Sequence, residues 1–328
     1  MRHSIQGTLF ATAVALGASE LAAQGLRNGI NSADLVAVAR QVGKKPHNEH
    51  VALHRVQIIQ DVFGSNGNAA VTVIDWPKLS LHQRPSPRQS RLYCLKSASV
   101  TAERLGLPAS AGPYYKMVGH SDSNPLVLGK PENSPIVGFA AVIARGKAGA
   151  SAARTADELA TIAVRGDASV RTEAAHLLAE RPHLRQAIAA TRWSQILGRT
   201  TGETADIDYK IALAQLCAEQ QLEGLVDTLA VSLGPVSDPR YARCVGRIAR
   251  VLHGEEASTV LERRLPNLRN DADRAAVLRA IGATNTEAAL ALLLRLDKIM
   301  GKDAGVAAAL AEHRSPQAKA AVMRRRSK

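Results

Sequence analysis

The segment His47-Asn-Glu-His50-Val-Ala-Leu-His54 places three imidazole rings within eight residues. Imidazole nitrogens are common metal ligands, and even separations align side chains on one face of a strand, so His50 and His54 could face the same ion. The fixed ligand spacing of zinc sites is missing, and a solvated loop leading into a strand also explains these residues. His47, His50 and His54 are therefore candidate ligands in an alternative function, a metal-dependent enzyme or enzyme inhibitor. The favoured function needs no cofactor.

A second set of residues combines cations with aromatic rings in the same N-terminal part of the chain. The candidate contacts to an anionic partner are Lys78, Arg84, Arg88, Arg91, Tyr114 and Lys116. Rings that stack on bases beside cations that follow phosphates are typical of single-stranded nucleic-acid binding, which is another alternative function. That function requires solvent-facing rings, whereas a small barrel with few large residues also needs its aromatic side chains inside.

Motifs with a fixed catalytic mechanism are absent from the sequence, which contains no P-loop, dinucleotide GxGxxG, HExxH, CxxC or calcium-loop spacing. The segment from Gly119 to Ser123 imitates a nucleophile elbow around Ser121, but its fifth residue is not glycine. Arg165-Gly166-Asp167 spells an adhesion tripeptide, although a glycine helix stop followed by an aspartate N-cap explains the same three residues. The sequence therefore favours a binding or scaffold protein over an enzyme.

The composition favours close-packed helices and an anionic partner. Hydrophobic residues make up 46% of the 328 residues and aromatic residues only 3%, so most apolar side chains are Ala, Leu and Val. The formal charge is +13, with 16 Lys and Arg against 8 Asp and Glu in residues 1–150. Such a basic surface suits a protein or anionic polymer partner, although net charge also simply keeps a protein soluble.

The N-terminus has the pattern of a secretory signal. Arg2 and His3 precede the apolar run from Thr8 to Leu16, and small residues up to Ala23 could precede cleavage. An amphipathic first helix is the alternative. No stretch is long enough to predict an integral membrane segment. We expect export to the periplasm, cell envelope or extracellular space, where nucleic acid is not an expected partner.

We expect the three cysteines to be small buried residues without a disulfide framework.

Four short β-rich runs follow the N-terminal segment. They cover residues 34–42, 51–59, 69–75 and 90–96, and a further hairpin is predicted from Tyr114 to Leu128. Their order resembles that of netrin-module or metalloproteinase-inhibitor-like OB barrels, which implies a small antiparallel barrel. The cysteine framework of the secreted inhibitors is missing, since only Cys94 falls here, so an inhibitory function does not follow.

From residue 155 the apolar period becomes helical and the segments recur. The string Asp167-x-x-Val170-Arg171-x-x-Ala174-Ala175-x-x-Leu178 resembles the second helix of a HEAT repeat. The predicted repeat caps are Asp167, Asp206, Asp238 and Asp271. Helix pairs of this kind stack on their neighbours to share one core, so the resemblance implies an α-α solenoid. An irregular helical bundle is the alternative.

The predicted organisation is therefore a multidomain α and β protein in four parts. These are a signal peptide at 1–23, a β-rich OB-like domain at 33–132, a connecting helix and linker at 133–154, and a HEAT-like repeat domain at 155–328. The apolar run from Ile136 to Ala144 predicts a helix that either packs on the barrel or caps the first helix pair, and we favour capping.

Overall fold

The chain folds into two compact units, Met1–Ala148 and Gly149–Lys328. Our description rests on a computed structural model and covers residues 18–76, 89–118, 127, 130–202, 206–234, 238–268, 270–301 and 303–326. The predictions for the apolar signal segment and for Lys78, Arg84, Arg88 and Ser121 lie outside these residues.

A closed barrel of five strands forms the centre of the first unit, within the part of the chain that is described. The strands are β1 (Leu35–Pro46), β2 (Ala52–Phe63), β3 (Ala70–Asp75), β4 (Arg91–Ser97) and β5 (Tyr114–Met117). Their order around the barrel is β1-β2-β3-β5-β4, and β4 pairs back onto β1. Neighbours are antiparallel except β3 and β5, which are parallel. The predicted N-terminal β-barrel is thus confirmed.

Alternating side chains of the strands fill the barrel. The buried cluster comprises Leu35, Ala37, Ala39, Val56, Val71, Val73, Tyr93, Leu95 and Tyr115. β-Branched residues suit this arrangement because they pack well on a pleated surface. After β2 the chain turns at Gly64, whose φ of +86° and close approach to the carbonyl oxygen of Asp34 leave no room for a Cβ atom.

Three helices accompany the barrel in the first unit, namely α1 (Ala18–Ser32), α2 (Ser99–Arg104) and α3 (Pro135–Lys147). The apolar run that predicts a connecting helix forms α3, which contacts β2 and α1. It buries Val137, Phe139 and Ile143. At its end, Lys147 Nζ donates to the carbonyl oxygens of Ile30 at 2.8 Å and Ala33 at 3.3 Å. The helix is therefore fixed to the first unit.

The second unit is helical throughout its described residues. Its helices are α4 (Ala152–Arg165), α5 (Ala168–Glu180), α6 (Pro182–Gln186), α7 (Ala190–Thr201), α8 (Ile207–Glu219), α9 (Leu225–Val231), α10 (Pro239–His253), α11 (Ala257–Glu262), α12 (Asp271–Thr284), α13 (Glu287–Met300), α14 (Ala304–Glu312) and α15 (Pro316–Arg326). The predicted change from β-structure to helices is confirmed. None of the four predicted caps lies at the start of α6 or α7, whose N-cap residues are Arg181 and Ala189.

The helices of the second unit lie in two layers. One layer is formed by α5, α8, α10, α12 and α14, each of which contacts the next. The other layer contains α4, α7, α9, α11, α13 and α15, and each of these helices also contacts the next. Close approach within the first layer depends on small residues, since a Cβ atom at Gly246 would overlap the carbonyl oxygen of Ala280 and one at Gly282 that of Ala309. The two layers share one apolar core.

Candidate functional site

The described members of the predicted basic surface do not form one surface. Arg91 is buried because it lies two residues before Tyr93 in β4, and its backbone pairs with the interior residue Ala39. The ring of Tyr114 is also buried, and its hydroxyl donates to the carbonyl oxygen of Pro108 at 3.1 Å. Only Lys116 is exposed. The assignment of Arg91 and Tyr114 as surface contacts is corrected accordingly.

The barrel tyrosines are also unsuited to stacking on bases. Tyr93 is 0% exposed, and Tyr114 and Tyr115 are 7% and 8% exposed. Burial raises the pKa of the Tyr93 hydroxyl to about 12. Tyr93 and Tyr115 belong to the cluster that fills the barrel, whereas Tyr114 packs in a second buried cluster with Ile74 and Leu107. All three rings therefore have a structural role.

The three candidate histidines do not converge. His47 Nε2 lies 3.1 Å from the carbonyl oxygen of Leu105, and the exposed His50 lies 3.0 Å from Glu49. Strand β2 begins at Ala52, so His50 precedes it and does not share a strand face with His54. Within the described ranges, no group of three His, Cys, Asp or Glu side chains could hold a metal ion.

His54 is instead a buried partner of Asp75. Its Nε2 lies 3.3 Å from the Asp75 carboxylate, and only 2% of its surface is exposed. The His54 hydrogen bond holds the pKa of Asp75 below its usual value, outweighing the effect of burial. This carboxylate therefore stabilises the fold above the pKa that it has when unfolded. The contribution is lost as the pH falls through the lower folded pKa.

The predicted repeat caps start the helices of one layer. The side chains of Asp167, Asp206 and Asp238 accept backbone N–H groups of Ser169, Tyr209 and Arg240 at the starts of α5, α8 and α10. For α12 the capping residue is Asn270, which accepts from Ala272, and Asp271 is the first helical residue. Asn and Asp cap helices about equally well, so the prediction of Asp271 missed the cap by one position.

Arginine side chains connect some of these caps to the preceding helix of the layer. Arg171 of α5 binds Asp206 at 3.0 Å, and Arg274 of α12 binds Asp303, the cap of α14, at 3.1 Å. Both arginines lie four residues after the cap of their own helix. At the corresponding place in α10 stands Ala242, and the next cap is the neutral Asn270. Where the next cap is not acidic, the arginine that would bind it is therefore also replaced.

An arginine-lined pocket lies where α4 and α7 end and where α5 and α8 begin. It encloses about 210 Å³ and is lined by Arg165, Arg171, Arg199, Tyr209, Gly166, Gly202 and Val164. Gly166 and Gly202 follow the last residues of α4 and α7 and present backbone without side chains. The pocket therefore brings three guanidinium groups, from α4, α5 and α7, to one place.

Only one of these guanidinium groups has an acidic partner among the described residues. Arg171 Nη2 binds Asp206, and the Arg171 guanidinium carbon lies 4.3 Å from the centroid of the Tyr209 ring. Its Nε is buried and finds no hydrogen-bond acceptor in the described part of the chain. The exposed side chains of Arg165 and Arg199 form no ion pair with any described residue. The described lining of the pocket consequently carries net positive charge.

Tyr209 forms one wall of the pocket and is fixed from both ends. Its hydroxyl donates to the carbonyl oxygen of Ala163 at 2.6 Å, and its backbone N–H donates to the Asp206 cap at 3.0 Å. Burial raises the pKa of this hydroxyl, while the charges of Arg171 and Arg199 oppose the shift. The ring holds Arg171 by a cation–π contact.

The sequence contained a signal for this pocket that helical periodicity alone did not reveal. Arg165 lies in the last turn of α4 and Arg199 in the last turn of α7. Each precedes a glycine that follows its helix, at Arg165-Gly166 and Arg199-Thr-Thr-Gly202. A recurring arginine before a helix stop places cations at the same end of neighbouring helix pairs. In Arg165-Gly166-Asp167, Asp167 does cap α5, while Arg165 lines the pocket.

Cys94, Cys217 and Cys244 are buried, as expected. Burial raises the pKa of both Cys94 and Cys217 to about 12. Among the described helices, none combines the length and the apolar character needed to span a membrane.

Comparison of the chain with known protein families, with curated proteins and with solved structures gave no match.

Proposed function

We propose that the chain is a non-enzymatic binding or scaffold protein that engages a protein or anionic polymer partner through its stacked helices. The arginine-lined pocket carries this proposal, because it offers two guanidinium groups that no described acid neutralises. We propose that the two-layer stack is a HEAT-like α-α solenoid; the contacts of each helix with its successor in the layer, and with a helix of the other layer, support this proposal. Extended surfaces of this kind suit binding.

We further propose that the barrel is OB-like and that the protein is exported. The strand order β1-β2-β3-β5-β4 and the parallel pairing of β3 with β5 support the OB-like assignment. The basic start and apolar run at the N-terminus support export. The two alternative functions have less support. Single-stranded nucleic-acid binding lacks exposed tyrosines, and the candidate histidines point to different partners.

A pull-down from the envelope fraction of the source cell tests the binding function. The full chain and its two units, residues 1–148 and 149–328, are immobilised separately, and retained molecules are eluted with a salt gradient. We expect the full chain and the second unit to retain the same partner and to release it as salt screens the charges. Retention by neither unit nor the full chain would sink the proposal.

A further inference from the structure

We infer that the arginine-lined pocket is a specific site for one oxyanion group, a sulfate, phosphate or carboxylate. This inference rests on the proposed function and names the chemistry that the helical unit recognises. Arg165, Arg171 and Arg199 line one cavity of about 210 Å³, which has room for such a group. Guanidinium groups bind these anions in a fork geometry that a scattered surface charge cannot offer.

The acids near the pocket are already committed to the ends of helices. Asp167 accepts the Ser169 backbone N–H at 2.9 Å, and Asp206 accepts the Tyr209 N–H while binding Arg171. Neither acid therefore neutralises Arg165 or Arg199 in the described structure. A ligand oxyanion would supply the counter-charge that the described acids do not provide, because clustered like charges repel one another.

Arg171 is preorganised for this role. Asp206 fixes its Nη2, the Tyr209 ring lies against its guanidinium plane, and its Nε–H is buried without an acceptor in the described residues. Arg165 and Arg199 are exposed and supply the solvent-facing part of the site. Ordering fewer side chains on binding reduces the entropy cost.

The ligand group has two possible sources, a free ion or an anionic polymer, and the test separates them. Binding of a free ion is measured by comparing the melting temperature of the full chain in sodium sulfate with that in sodium chloride of equal ionic strength. Polymer binding is measured by calorimetry with a heparin oligosaccharide, which carries sulfate and carboxylate groups. The variant Arg165→Ala/Arg199→Ala removes the two unpaired cations. The control Arg247→Ala/Arg263→Ala removes the same charge from exposed positions of the same unit.

We expect the pocket variant to lose the sulfate-specific stabilisation, to bind the oligosaccharide at least about tenfold more weakly, or both, since charged hydrogen bonds are strong. The control should stay within about twofold of the natural chain, as expected for a small change in screened charge. Loss in the sulfate arm alone identifies a free ion, and loss in the oligosaccharide arm identifies a polymer group. Circular dichroism confirms that both variants are folded.

Equal behaviour of the pocket variant and the control in both arms would overturn the inference, because binding would then follow net charge only. The proposed function has a separate readout. If the pocket variant still retains the envelope partner in the pull-down, the helical unit is a binding surface and the pocket is not its anion site.

Discussion

Asp206 acts on two helices with one carboxylate. One oxygen accepts the Tyr209 backbone N–H at the start of α8, and the other binds Arg171 of α5 at 3.0 Å. The first contact satisfies a donor that a helix start leaves open, and the second connects neighbouring helix pairs. Because the two contacts have different chemical requirements, substitutions can separate them.

Replacing Asp206 by Asn keeps a good cap but removes the ion pair with Arg171, whereas Ala removes both. We expect Asp206→Asn to lower the free energy of unfolding by about 0.5–1 kcal/mol, the value of a partly exposed pair. Asp206→Ala should cost about 1 kcal/mol more, since the helix start loses its cap. Urea unfolding of the three proteins measures both steps.

The matched control is Asp208→Asn. Asp208 binds Arg240 at 2.8 Å, but both side chains are more than 40% exposed, so this substitution should change stability by less than about 0.5 kcal/mol. A loss at Asp208 as large as that at Asp206 would contradict the idea that the cap-to-arginine contact connects the helix pairs.

At the scale of elements, small residues determine how closely the helices of one layer approach. Gly246 of α10 lies against the backbone of α12, where a Cβ atom would overlap the Ala280 carbonyl oxygen. Gly198 of α7, in contrast, has no heavy atom near its would-be Cβ position. These two helical glycines therefore differ only in whether a neighbouring helix is in contact.

We expect Gly246→Ala to destabilise the second unit by about 1–3 kcal/mol, because an added methyl group in a packed interface forces the helices apart. Gly198→Ala should stabilise it by up to about 1 kcal/mol, since alanine favours an exposed helix position. Thermal unfolding followed by circular dichroism compares the two. Stabilisation by both substitutions would show that α10 and α12 are not in close contact.

An element could be predicted from the sequence when its cap and its apolar pattern lie within its own residues. The string from Asp167 to Leu178 that resembles a repeat helix does form α5, because its aspartate cap and its helical apolar period are both local signals. The face of β4 was not predictable in the same way. Its first five residues are all buried, so alternation does not tell which side faces the barrel interior.

The arginine-lined pocket was less predictable still, since it depends on residues that are distant in sequence. Arg165 and Arg199 meet only because α4 and α7 lie side by side in one layer. Periodicity identifies such helices but does not say which of their ends coincide. The pairing of Arg171 with Asp206 has the same origin, a contact between successive helix pairs.

At the scale of the whole molecule, the two units meet in sequence between α3 and α4. The apolar residues of α3 are buried within the first unit, and α4 begins with Ser151 as its cap, accepting the Arg154 backbone N–H. The fragments 134–328 and 149–328 should therefore have the same melting temperature. A fragment starting at Thr155 should melt lower, because it loses this cap and the first turn of α4.

Differential scanning calorimetry of the three fragments measures this directly. A clearly higher melting temperature for 134–328 than for 149–328 would contradict the assignment of α3 to the first unit. It would favour instead the capping role that the apolar run from Ile136 to Ala144 predicts.

Closure of the barrel also affects how the first unit behaves toward other copies of itself. A closed sheet has no free edge onto which a foreign strand could add, which protects against aggregation. The protection is weakest where β3 meets β5, since only Thr72 and Val73 pair there with Tyr114 and Tyr115. Opening of this seam would expose the edges of β3, which is rich in β-branched residues, and of β5, which begins with two tyrosines. Intermolecular β-pairing of a partly unfolded chain would therefore begin at β3 and β5.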